Sequence, residues 1–306
     1  MRAATPVASR VVEVDGIPMS AWCAEVDEPR AVLVAVHGGA ADARYFDLPG
    51  HPEASLLRLG AALGYTVLAP DRPGYGASAI AESVFRPPAR RVDATYRAVD
   101  ALLGASSRGA GVFLIGHSAG CDLAVRMAAD ERGAALLGLE IAGTGLVKQE
   151  LAIRRIVALQ ANRDRAGIRD LLWQPARVYP PDVFGGRLIS APAPGYESDV
   201  AVHWPDDFRA LAGHVRVPVR VTSAEHESVW QCDETALREV AGLFGAAPRC
   251  EVNVQFDSGH NVSAGYGAAA YHLGVLAFAE ECVLAAQSEQ ARTDAEISVR
   301  KVERGA

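Results

Sequence analysis

The sequence predicts an α/β domain with a mainly parallel sheet and helices on both faces. Three observations predict it. Short uninterrupted apolar runs, such as residues 31–36 (AVLVAV), suit strands covered on both sides. These runs alternate along the chain with segments of helical spacing. The composition also suits one large core, since 50% of the 306 residues are hydrophobic and 22% are charged. A chain this apolar does not stay disordered.

In order, residues 10–15 (RVVEVD) and 17–26 (IPMSAWCAEV) flank an Asp15-Gly16 turn and read as a hairpin. The strand 31–36 runs into His37-Gly38-Gly39. Residues 54–64 have helical spacing and stop at Gly64, a C-cap residue. The strand 66–69 leads into the turn PDRPGYGAS. Residues 89–104 put Val92, Tyr96, Val99 and Leu103 on one helical face. A strand at 112–115, a helix at 121–130 and a strand at 136–142 follow. The last elements are a strand at 217–222, a helix at 234–244, a strand at 251–256 and a helix at 271–287. Residues 144–213 break the rhythm. They show two helical stretches, 148–161 and 164–173, then the Pro/Gly-rich runs QPARVYPPDVFGG and SAPAPGYESD. The expected organisation is a core of residues 1–143 and 214–287 interrupted by a lid at 144–213, because long insertions in compact domains tend to be functional. Residues 288–306 read as a poorly ordered tail. No internal repeat is evident.

Thirty Lys and Arg against 37 Asp and Glu give a net charge of −7, which argues against a general nucleic-acid binder. Only Lys148 and Lys301 are lysines, a bias best assigned to codon usage. The amino terminus lacks the apolar run of a secretory signal, and no stretch has the ~20 uninterrupted apolar residues of a membrane span. Five scattered cysteines without CxxC spacing read as small buried hydrophobes in a reducing compartment. The expectation is a cytoplasmic protein that binds neither membrane nor nucleic acid.

Gly116-His117-Ser118-Ala119-Gly120 is a G-x-S-x-G motif between a strand and a helix. That context lifts a serine on a sharp turn above the sheet edge. An activated serine needs a base and a group that orients the base, in the chain order Ser, acid, His. His260, in FDSGHNVS after the last strand, fits the base better than His272, which falls inside the last helix. The acid belongs after the strand that ends near Thr222, where VTSAEHESVW offers Glu225 and Glu227. Acids in this loop usually sit several residues past the strand, so Glu227 is favoured and Glu225 is the alternative; Asp257 reads as a turn residue. An oxyanion hole needs two N–H donors. Ala119 and Gly39 are the candidates, the second because glycines let the HGG turn point its amides inward.

With HGG after one strand, DRPGYGAS after the next, GHSAG at an elbow and a late SGH, the chain resembles the α/β-hydrolase superfamily over roughly residues 10–287. The resemblance implies an α/β-hydrolase fold of eight mostly parallel strands, a Ser-His-acid triad and a cap at the 144–213 insertion. The acid is Glu rather than the commoner Asp, and HGG is shorter than the HGGG of one lipase and esterase branch. A serine at the elbow argues against dehalogenase or epoxide-hydrolase chemistry.

The implied reaction is acyl transfer on an ester or thioester, without metal or organic cofactor. The same triad would serve an acyltransferase or cyclase if another nucleophile replaced water, and a binding protein could keep the fold without turnover. His37 and His117 in the motifs, with Trp173 and Tyr179 in the insertion, are candidate substrate contacts. The aromatic residues read equally well as packing of the lid on the core. Residues 146–190 hold eight Lys and Arg against four acids, a local charge of +4. That face suits an anionic ligand or a phosphopantetheine carrier, or simply solvent. Arg154 and Arg155 are the candidates for facing the mouth above Ser118. The expected partner is a medium or large, partly hydrophobic acyl compound, free or carrier-bound.

Overall fold

A computed structural model describes residues 6–162 and 165–305. Arg163 and Asp164, counted above in the basic segment, lie outside the described residues. Eight strands form one sheet: β1 (Ala8–Val14), β2 (Ile17–Ala24), β3 (Val32–Val36), β4 (Thr66–Pro70), β5 (Val112–His117), β6 (Leu136–Ala142), β7 (Val219–His226) and β8 (Cys250–Gly259). Their spatial order is β1-β2-β4-β3-β5-β6-β7-β8. β2 pairs antiparallel with both β1 and β4, and every other pairing is parallel. The β1–β2 hairpin closes at Asp15-Gly16, both with positive φ (52° and 77°), as an Asp-Gly turn requires.

The helices are α1 (Leu56–Ala62), α2 (Pro88–Leu103), α3 (Gly120–Ala129), α4 (Glu150–Asn162), α5 (Arg165–Leu172), α6 (Glu197–Ala212), α7 (Glu234–Gly242) and α8 (Ala268–Gly305). Alternate residues of one strand serve opposite faces of the sheet. Leu33 and Ala35 of β3 join α1 and α8 in one buried cluster. Val32, Val34 and Val36 join α2, α3, α6 and α7 in the other. This two-sided cover is why these strands read as unbroken apolar runs.

Three expectations change. The insertion at 144–213 is not a single unit laid over the core, because its last helix, α6, is part of the core. Trp204 stacks on Phe208 with ring centroids 4.6 Å apart, and both sit in the cluster that holds β7 and α3. α6 contains Pro205, which removes one helix hydrogen bond and costs ~3 kcal/mol in a helix interior, a local signal against a helix here. Val200, Trp204, Phe208 and Ala212, four apart and all buried, are the signal that marks it. Residues 288–305, expected as a poorly ordered tail, continue α8. Within α8, Ala268–Arg292 is long and apolar enough by composition to cross a membrane, with a mean hydropathy of 1.3 over its most apolar window and half of that window buried. Its apolar side, including Tyr271, Val275, Phe278 and Val283, covers the sheet. The cysteines are all free; Cys23, Cys121 and Cys282 are buried as expected, whereas Cys232 and Cys250 are partly exposed.

Candidate active site

Strand order reverses between β3 and β5: the chain goes from β3 outward to β4, then back to β5 on the other side of β3. Crevices at the carboxyl ends of strands form at such points. Residues following β3, β4, β5, β7 and β8 meet there.

Ser118 follows β5 with φ +51°, a left-handed conformation rare and strained for a residue with a Cβ. The turn is held because the Ser118 N–H donates to the Ala142 carbonyl at 2.8 Å and the Cys121 N–H to the Ser118 carbonyl at 2.9 Å. The flanking glycines are sterically required. A Cβ on Gly116 would lie 2.8 Å from the Ala124 Cβ, and one on Gly120 2.4 Å from the Val36 carbonyl oxygen.

Three of the residues singled out in the sequence form one relay. Ser118 Oγ lies 2.9 Å from His260 Nε2. Both Glu227 carboxylate oxygens lie 3.0 Å from His260 Nδ1. Since Glu227 accepts there, Nδ1 carries the proton and Nε2 is free to accept from the serine. His260 is 2% exposed and Glu227 6%. Burial alone would raise the Glu227 pKa. The adjacent imidazole and the N–H groups of Val229 and Trp230 outweigh that and hold it below the usual carboxylate value. Glu225 takes no part, being exposed and accepting from the Asp257 N–H at 2.7 Å. Asp257 bonds Arg177 but is not a turn residue; it lies within β8 with φ +43°, where the pairing with β7 shifts register. His272 is buried inside α8 against Ser263, 2.9 Å away.

The HGG turn lies against the elbow: a Cβ on Gly38 would come 3.2 Å from Ser118 Cβ, and one on Gly39 3.6 Å from Ala119 Cβ. His37 and His117 are not substrate contacts, because both are buried and spend their donors on the protein. His117 Nε2 donates to the His260 carbonyl at 2.9 Å, and its ring stacks on Tyr45 at 4.5 Å. Burial, then the nearby His260, pushes its pKa down to about 3. His37 Nδ1 lies 2.8 Å from the Gly38 oxygen. Trp173 and Tyr179, 5% and 2% exposed, pack into the buried cluster under the sheet's α1–α8 face rather than forming an open pocket wall. The Tyr179 hydroxyl accepts from the Asn261 N–H at 3.1 Å, and Asn261 Nδ2 donates to the Leu172 carbonyl at 2.8 Å. The insertion thus fixes the loop that carries His260.

Among the described residues the basic segment gives no cation at the mouth that the structure singles out. Arg154 pairs with exposed Glu150 within α4, and Lys148 Nζ donates to the Ala201 carbonyl. The buried cation beside the elbow is instead Arg72, in the turn PDRPGYGAS after β4. Its guanidinium bonds the carbonyls of Gly38 and Ala119 and sits 2.7 Å from Glu197 of α6. Its position directly after β4, next to β3 in a parallel sheet, is the signal that places it beside the HGG turn.

Solved structures give the same fold. An esterase from Rhodococcus sp. ECU1013 is 19% identical, with 90% of this chain and 98% of that chain covered and a TM-score of 0.59. E-2-(acetamidomethylene)succinate hydrolase is 17% identical, with 90% and 100% covered and a TM-score of 0.63. A thioesterase domain from the curacin biosynthetic pathway is 15% identical, with 88% and 99% covered and a TM-score of 0.55. No curated protein matches the chain. A sequence model of the alpha/beta hydrolase family matches residues 33–270, which span β3 through the start of α8 and hold every residue of the relay. This chain therefore belongs to the alpha/beta hydrolase family.

Proposed function

We propose that the chain is a serine hydrolase that cleaves an ester or thioester of a medium or large, partly hydrophobic acyl group. The observation that carries the reading is the unbroken relay from Ser118 Oγ through His260 to Glu227, with 2.9 Å and 3.0 Å contacts. In this reading His260 takes the Ser118 proton as Oγ attacks the carbonyl. The Gly39 and Ala119 N–H groups receive the oxyanion. His260 then protonates the leaving alcohol or thiol, and water attacks the acyl-enzyme by the same route in reverse. Glu227 keeps the proton on Nδ1 and stabilises the imidazolium. The segment between β6 and β7 that precedes α6 serves as the lid. The esterase and thioesterase among the similar structures agree with this chemistry.

Labelling with a fluorophosphonate probe tests the reading. Wild type is expected to label on Ser118 and Ser118→Ala not at all; equal labelling of the two removes the catalytic role. Profiling p-nitrophenyl esters against acyl thioesters then reads the acyl preference, and a clear preference for acetyl esters would count against a medium or large acyl group.

A further inference from the structure

We infer that Arg72 is a positioning residue that aims the Gly39 N–H into the oxyanion hole, and that Glu197 of α6 holds Arg72 in place. The inference rests on the reading of Gly39 as an oxyanion donor.

The Arg72 side chain is 2% exposed. Nη2 donates to the Gly38 carbonyl at 3.0 Å and to the Tyr75 hydroxyl at 3.3 Å, and Nη1 reaches the Ala119 carbonyl at 3.4 Å. The Arg72 backbone N–H donates to His37 Nε2 at 3.0 Å. That bond makes Nε2 the acceptor and so puts the imidazole proton on Nδ1, which donates to the same Gly38 oxygen at 2.8 Å. Burial, then the Arg72 charge, holds His37 well below its usual pKa, so this tautomer is neutral. The Gly38 oxygen therefore accepts from two fixed donors.

The Gly38 carbonyl and the Gly39 N–H belong to one planar trans peptide and point in opposite directions. Clamping the carbonyl on the guanidinium side fixes the N–H on the other. The clamp is required because neither glycine has a Cβ to resist rotation of this peptide. A flipped peptide would offer a carbonyl oxygen where a donor is needed.

A buried guanidinium needs a counter-charge. Glu197 Oε1 supplies it at 2.7 Å, from a side chain 13% exposed. The other carboxylate oxygen rests on the turn itself, 2.8 Å from where a Gly39 Cβ would stand. Arg72 thus also offsets a negative charge beside the developing oxyanion. The insertion, through the first residue of α6, completes the support of a turn made by β3 and β4.

The test measures hydrolysis of p-nitrophenyl hexanoate and inhibition by a matched pair of ketones. The trifluoromethyl ketone adds Ser118 to form a tetrahedral oxyanion, and its methyl ketone analogue binds without addition. Arg72→Ala is expected to lower kcat by about 100-fold, the scale of losing one oxyanion donor, with KM within about threefold. Affinity for the trifluoromethyl ketone falls in parallel, and that for the methyl ketone does not. Added guanidinium restores part of kcat, which a purely structural role would not permit. Should Arg72→Ala fold poorly, Arg72→Gln with Glu197→Gln removes both charges and leaves no unpaired buried ion; the same loss is expected. A folded variant with wild-type kcat and trifluoromethyl ketone affinity overturns the inference and leaves the hydrolase reading standing. A wild type that neither turns over esters nor labels on Ser118 overturns the reading itself.

Discussion

Replacing Glu227 by Gln tests the relay at its innermost contact. The side chain is nearly isosteric, so Oε1 can still accept from the Val229 N–H, a 2.8 Å bond in the native protein. The amide nitrogen then faces His260 Nδ1, where a carboxylate oxygen lay at 3.0 Å. An N–H cannot accept; Oε1, also 3.0 Å from Nδ1 but shared with the Val229 N–H, is the remaining acceptor for the Nδ1 proton, and where the amide faces the ring that proton moves to Nε2. In that tautomer Nε2 donates to Ser118 Oγ instead of taking its proton. The negative charge that offsets the imidazolium is also lost. The corresponding Asp-to-Asn change in the serine protease template costs about 10⁴ in kcat, which is about 5.4 kcal/mol at 1.36 kcal/mol per tenfold. The assay is kcat and KM for a p-nitrophenyl ester across neutral and alkaline pH, with a thermal melt to confirm folding. Glu225→Gln is the control and should match wild type, because Glu225 is exposed and its carboxylate accepts from the Asp257 N–H rather than from His260. A folded Glu227→Gln variant within about tenfold of wild type would refute the reasoning, since less than about 1.4 kcal/mol would then ride on the tautomer.

Acid should destabilise the fold early. His117 and His272 have pKa values pushed down to about 3 by burial, and His37 also lies well below its usual value. These imidazoles stay neutral in the native state but take up protons in the unfolded chain below about pH 6.5. Unfolding then binds protons, so stability falls as pH drops through this window. Glu140 works the other way, because burial pushes its pKa up to about 7 and the native state keeps a proton that the unfolded chain releases. The net uptake of about two protons predicts a loss of about 3 kcal/mol per pH unit between about pH 6 and 5, read by urea denaturation; a flat profile there would contradict the buried neutral imidazoles. Gly120→Ala should cost about 3 kcal/mol or more, because its Cβ would meet two backbone oxygens, those of Val36 and His37, at 2.4 Å and 2.5 Å. A loss below about 1 kcal/mol in the same denaturation assay would mean that α3 backs away from β3 freely.

The sequence by itself determined the eight strands, the helices other than α6 and the elbow serine. Those features rest on local physics: unbroken apolar runs for strands, period-3.6 burial for helices, Asp-Gly and Pro-Gly turns, and a strand–turn–helix context around Ser118. It also narrowed the acid to two carboxylates, Glu225 and Glu227, and favoured Glu227 by its distance past the strand. Only the tertiary structure decided between them. A strand points successive side chains to opposite sides, but Glu227 lies beyond β7, and its direction is set by where His260 of a neighbouring strand arrives. Long-range packing likewise decided the burial of His37 and His117, the place of α6 in the core despite Pro205, and the meeting of Arg72 with Glu197 across 125 positions of chain. None of these leaves a local pattern, because each depends on which strand ends lie side by side at the reversal between β3 and β5.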